Sequence, residues 1–70
     1  MRPYEVPSRI IERVSYNPDG KSLIIRFRKG STHCYQKVPA EVYAALMNAA
    51  SIGRFYQKNI RPHFQYERIE

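Results

Sequence analysis

Two kinds of residue in this chain could do chemistry. His33 and Cys34 are neighbours, the types from which a base-activated thiol nucleophile is built. The other kind is cationic. Lys21, Arg26, Arg28, Lys29 and Lys37 lie between Asp19 and Glu41 with no acid among them. From Glu41 to Glu67 the only charges are Arg54, Lys58 and Arg61, with His63 beside them. Fixed cations next to aromatic rings suit a polyanion that also carries flat bases, because phosphates pair with the cations and bases stack on the rings. Six tyrosines and three phenylalanines supply the rings. Lysine and arginine outnumber aspartate and glutamate 12 to 6, for a net charge of +6. A basic balance favours nucleic acid, anionic head groups or an acidic protein as partner.

The elements that position these residues follow from period and punctuation. Residues 1–7 hold two prolines and are expected to form an arm, leaving 8–70 as a single domain. A first strand is predicted over residues 9–16. The Asn17-Pro18-Asp19-Gly20 turn leads to a second strand over 22–28, and a third is predicted over 32–37. Leu23, Ile25 and Phe27 share one face of the second strand, with Ile24, Arg26 and Arg28 on the other. Helical spacing then takes over. Pro39 suits a first helical turn, and Val42, Tyr43, Leu46, Met47 and Ala50 should pack on the sheet. Ser51 is a good N-cap for a second helix, which Pro62 should end near Arg61. On that helix Ile52, Phe55, Tyr56 and Ile60 gather on one side, with Arg54, Lys58 and Arg61 opposite. Phe64, Tyr66 and Ile69 of the tail are expected against the core. The expected fold is therefore α+β: a three-stranded antiparallel β-meander followed by two α-helices packed on one face.

Placed on these elements, the catalytic idea weakens. Neighbours on a strand point to opposite faces, so His33 and Cys34 should not meet. The six acids are scattered, two histidines and one cysteine show no zinc spacing, and the glycines at 20, 30 and 53 form no phosphate loop. No enzyme, metal or cofactor is expected. With one cysteine there is no internal disulfide, and no membrane span or signal segment is legible; a cytoplasmic protein is expected.

The cations hold up better. Arg54, Lys58 and Arg61 at i, i+4 and i+7 would line one helical stripe, where like charges repel by about a few tenths of a kcal/mol. Phosphates on a partner would offset that repulsion. Whether His33 and Tyr35 join them depends on one turn. A two-residue loop, Lys29-Gly30, pairs Ile24 with Tyr35 and puts both rings on the open face beside Arg26. A three-residue loop through Ser31 pairs Ile25 with Tyr35 and turns both inward, with Cys34 outward. The layer of Leu23, Ile25 and Phe27 is thin without Tyr35, which favours the inward arrangement.

The order of motifs resembles the KTSC domain, a short module named for its place at the C-terminus of some lysyl-tRNA synthetases and also found free-standing in bacteria. The resemblance runs from about Ser8 to Ile69. It is carried by the strand ending in Tyr16, Leu23-Ile25-Phe27 with Gly30, and Val38-Pro39-Ala40-Glu41-Val42-Tyr43. Leu46, Ala50-Ser51-Ile52-Gly53, Phe55-Tyr56, Ile60-Arg61 and Tyr66-Glu67-Arg68-Ile69 complete it. The family's central Tyr-x-Tyr falls on His33-Cys34-Tyr35, with histidine in place of the first tyrosine. The resemblance implies no established activity; its association with a synthetase points towards RNA.

The expectation for function is a non-enzymatic binding module holding RNA by its backbone phosphates. Arg26, Arg28, Lys29 and Lys37 would form one group of contacts and Arg54, Lys58 and Arg61 another, with stacking by His33 and Tyr35 if the two-residue turn holds. The alternative is a module docking on an acidic protein, with Ile10 and Ile24 as members of an exposed apolar patch. Neither oligomeric state nor a role for Cys34 is legible.

Overall fold

The turns set the sheet. A computed structural model describes residues 4–5 and 9–69. Strand β2 (Ile11–Asn17) turns at Pro18-Asp19-Gly20-Lys21, where Asn17 Oδ1 accepts the Asp19 N–H at 3.1 Å. Strand β3 (Ser22–Phe27) then runs antiparallel to it. The next connection is a three-residue loop, Arg28-Lys29-Gly30, closed by Phe27 N–H to Ser31 O at 2.8 Å and Gly30 N–H to Phe27 O at 2.9 Å. Gly30 has φ +112°, a region that residues with a Cβ avoid. Strand β4 (Thr32–Tyr35) therefore pairs Leu23 with Tyr35 and Ile25 with His33. This loop sits one position earlier than the three-residue loop anticipated. The parity is the same, and Tyr35 points inward.

The meander is wider than three strands. Tyr4–Glu5 (β1), inside the segment expected to be an irregular arm, pairs with β2. The other positions of the arm lie outside the described residues. On the far edge Tyr66–Arg68 (β5) pairs with β4, so the sheet runs β1-β2-β3-β4-β5. A bulge at Glu12 shifts the β2 register, which lets Ile11 and Val14 both face inward despite their odd spacing.

The helices cover the inner face. Helix α1 (Ala40–Met47) starts one residue later than expected, with Pro39 as its cap, and buries Leu46. Val42, Tyr43 and Met47 pack beside it, whereas Ala50 is exposed. Ser51 caps α2 (Ile52–Phe55), its Oγ accepting the Arg54 N–H. The chain continues as a π-helical turn, Tyr56–Ile60, ended by Arg61 N–H to Tyr56 O. Ile60 and Tyr56 are buried with Ile11, Val14, Tyr16, Leu23, Ile25, Phe27, Tyr35, Val38 and Leu46. The α+β class and the packing of both helices on one face are as expected. Of the tail residues expected against the core, Phe64 packs there, while Tyr66 and Ile69 remain half exposed.

Candidate nucleic-acid interface

The inner face is not covered to its end. Beyond the reach of α1 an open groove of about 920 Å³ runs along the hairpin loop, the π turn and β5. Its floor is aromatic. Phe27 meets His33 edge-on at 4.8 Å and Tyr56 edge-on at 5.4 Å, and Tyr35 lies 5.2 Å from Tyr66. Tyr66 stacks on His33 with centroids 4.3 Å apart and planes at 20°. The Tyr35 and Tyr56 hydroxyls bond to each other at 2.5 Å.

Its rim is cationic. Arg9, Arg28, Lys29, Arg61 and Arg68 all line the groove, and no acid is among the described lining residues. They come from separate pieces of local structure, with Arg28 and Lys29 sharing one. Arg28 and Lys29 ride on the tight loop that Gly30 permits. Arg68 alternates with Tyr66 on β5, so both face the groove while Glu67 lies opposite Cys34 on the other face. Arg61 arrives through the π turn, whose i→i+5 bonding adds a residue per turn and rotates the positions after it.

That rotation breaks the expected stripe of Arg54, Lys58 and Arg61. Arg61 lines the groove, and Lys58 is exposed away from it. Arg54 borders a smaller hollow of about 400 Å³ that shares Arg9, Ile10 and Gln57 with the groove. The stripe presumed 3.6 residues per turn throughout. Arg26 sits on the opposite sheet face, where its Nε is 3.8 Å from Glu12 and its Nη1 donates to Thr32 Oγ1 at 3.5 Å. Lys37 is exposed outside the groove, with φ +58° in the turn that follows β4, where Val38 N–H bonds to Lys21 O. Of the residues singled out, Arg28, Lys29, Arg61, His33 and Tyr35 come together. The strand register that turns His33 and Tyr35 inward brings them to the groove floor, not to the open face beside Arg26.

Sequence reasoning missed Arg9, Arg68 and the groove side of Tyr56 and Tyr66. The Tyr66-x-Arg68 alternation was a usable period-two signal. Nothing local marks Arg9, which long-range folding brings to the rim.

The electrostatics of the floor follow from its burial. Desolvation first, then Arg68 and Lys29, holds the His33 pKa below the ordinary histidine value, favouring the neutral ring. Burial pushes the Tyr35 and Tyr56 hydroxyls up, so both stay protonated. Ser31 Oγ and His33 Nδ1 are buried without a hydrogen-bond partner among the described residues.

Cys34 lies on the outer face opposite Ile24 and Glu67, across the sheet from the groove, so His33 and Cys34 do not form a pair. Among the described residues no group of three His, Cys, Asp or Glu is placed to hold a metal, and no helix is long and apolar enough to cross a membrane. Ile10 lines the groove side and Ile24 the opposite face, so they do not make one apolar patch.

Residues 7–64 match the model of the KTSC domain. The chain is 40% identical over 65 residues to a protein of Tsukamurella paurometabola, covering 93% of this chain and 94% of that one. It is also similar to a lysine–tRNA ligase of Nostoc sp., at 37% identity over 59 residues; the match covers 84% of this chain and 10% of the ligase. The crystal structure of a KTSC domain protein from Yersinia pestis superposes with a TM-score of 0.93 at 34% identity, covering 99% of this chain and 97% of that one.

Proposed function

The chain belongs to the KTSC domain family, and we propose that it is a non-enzymatic module that binds RNA in the groove between the hairpin loop, the π turn and β5. The observation that carries this reading is the convergence of five cations, with no acid among the described lining residues, over an aromatic floor. Phosphates neutralise such a rim, and the counterions they release drive binding. Both ends of the family's Tyr-x-Tyr motif, His33 and Tyr35 here, lie in that floor. Relatives named lysine–tRNA ligase carry a similar region, an association in keeping with RNA as ligand. RNA recognition also fits a cytoplasmic setting. Arg28, Lys29 and Arg61 are assigned the phosphate contacts, with Arg9 and Arg68 extending the track. Arg26, Lys37 and Lys58 are left outside it.

Fluorescence anisotropy with a labelled single-stranded RNA and a structured tRNA, repeated across salt concentrations, tests the assignment. Wild-type affinity should fall steeply with salt. The triple substitution Arg28→Ala, Lys29→Ala, Arg61→Ala should weaken binding by roughly 10–100-fold and flatten the log–log salt slope by about 2, near 0.7 for each phosphate left unneutralised. Arg13→Ala with Arg26→Ala on the opposite face should change little. Absence of binding by either RNA in low salt ends the RNA reading and turns the search to an acidic protein.

A further inference from the structure

We propose that the groove is a single-strand site in which one unpaired base extends the Tyr66–His33 stack while its flanking phosphates lie among Arg28, Lys29 and Arg61; this rests on RNA being the ligand of the groove. Tyr66 stacks one ring face on His33 and meets Tyr35 at a tilt, yet the residue is 51% exposed, which leaves surface on which a third ring can add to the stack. Extending a stack needs no sequence preference, since every base has a π face.

The floor also distinguishes single strands from duplex. In a duplex the bases are stacked and paired inside, and the backbone presents phosphates on a convex surface. Such a ligand reaches the rim cations and leaves the aromatic floor unmet. A strand that splays a base outward engages both, which is the usual way proteins read RNA that is not paired. The floor is moreover where hydrogen-bonding capacity is unspent. Ser31 Oγ and His33 Nδ1 lack partners among the described residues. The two tyrosine hydroxyls share a single bond, which leaves one proton over. Buried polar atoms without partners are uncommon in folded domains, and here they sit under one concavity.

The chain contains no tryptophan, so Tyr66→Trp places a single indole at the stacking position. Titrated with a single-stranded oligonucleotide, its emission should be quenched; with a blunt RNA duplex of matched charge it should not. In anisotropy at equal salt, Tyr66→Ala should weaken single-strand binding by roughly 5–150-fold, the range for one base–aromatic stack. Duplex affinity and the salt slope should be unchanged, because every cation that meets a phosphate is still in place. Retained affinity in Tyr66→Trp shows that the ring, not the tyrosine hydroxyl, is what binding needs. Equal affinity for the two RNAs with unquenched indole overturns the single-strand site and leaves RNA binding standing. Failure of both RNAs to bind overturns both. Polyglutamate displacing the single strand as well as RNA of equal charge does overturns the stacking assignment, since a peptide without rings has then matched it.

Discussion

Two buried tyrosines, Tyr16 and Tyr35, lie on the same inner sheet face, and their surroundings differ in one decisive respect. Tyr16 is sealed. Its hydroxyl donates to Val38 O at 2.6 Å, and its ring stacks on Tyr43 of α1 with centroids 4.8 Å apart and planes at 10°. Tyr35 is buried more completely still, yet its hydroxyl meets another hydroxyl, on Tyr56, at the floor of an open groove. One end of the layer spends its polar capacity on backbone, whereas the other retains some. The cations are divided between the faces as well: five line the open end, while on the outer face Arg13 and Arg26 stand within 4 Å of Glu12. The first end is closed over by α1, and the second is open to solvent.

The sharpest way to break that contrast is to delete the two hydroxyls one at a time. Tyr16→Phe strands a buried backbone carbonyl and should cost about 1–3 kcal/mol in urea unfolding. Tyr35→Phe should cost less than about 1 kcal/mol, because the Tyr56 hydroxyl can turn towards the groove and water. Tyr35→Phe with Tyr56→Phe together should be near neutral, since both partners go at once. Equal losses from Tyr16→Phe and Tyr35→Phe would remove the distinction between the ends.

Backbone strain gives a second, somewhat smaller comparison. An added Cβ at Gly30 meets nothing within 4 Å, so Gly30→Ala isolates the cost of φ +112°, about 1–2 kcal/mol. It should also weaken RNA binding by displacing Arg28 and Lys29. At the sealed end, Lys21 and Lys37 already occupy positive φ, at 53° and 58°. Lys21→Gly relieves that strain and loosens the unfolded chain, so its net effect should stay within about 1 kcal/mol.

What could be read in the sequence divides between local elements and long-range assembly. The local elements were legible because period and punctuation act over short range: Leu23, Ile25 and Phe27 alternate, Ser51 caps α2, and Pro62 bounds the helix. The inward Tyr35 was legible as one of two parities, decided by the bulk the layer needed. The groove was not legible as a whole, for three physical reasons. A bulge at Glu12 breaks the period-two pattern of β2 and carries Ile11 inward. The π turn changes the number of residues per turn, which no stripe drawn at 3.6 anticipates. Strand β5 exists only because a three-residue segment finds an edge to pair with, and it carries Tyr66 and Arg68 to the site. A groove assembled from long-range pairings leaves only its charge and aromatic content visible in one dimension.

The smallest effect is the most specific to the open end. His33 titrates there below the usual value of about 6.5, because it is partly buried, with Arg68 and Lys29 beside it. The unfolded chain, with the ordinary value, therefore binds the proton more readily than the folded one. Stability from this source is complete above about pH 6.5 and is lost as the pH falls through that value towards the folded pKa. His33→Tyr abolishes this titration and restores the paired tyrosine of the family motif, keeping a ring for Tyr66 to stack on. Melting temperatures of both proteins between pH 8 and pH 5 should diverge only in the acid range, with the wild type falling further. Parallel curves would mean that His33 titrates alike in both states, and that the floor of the groove is wetter than its packing implies.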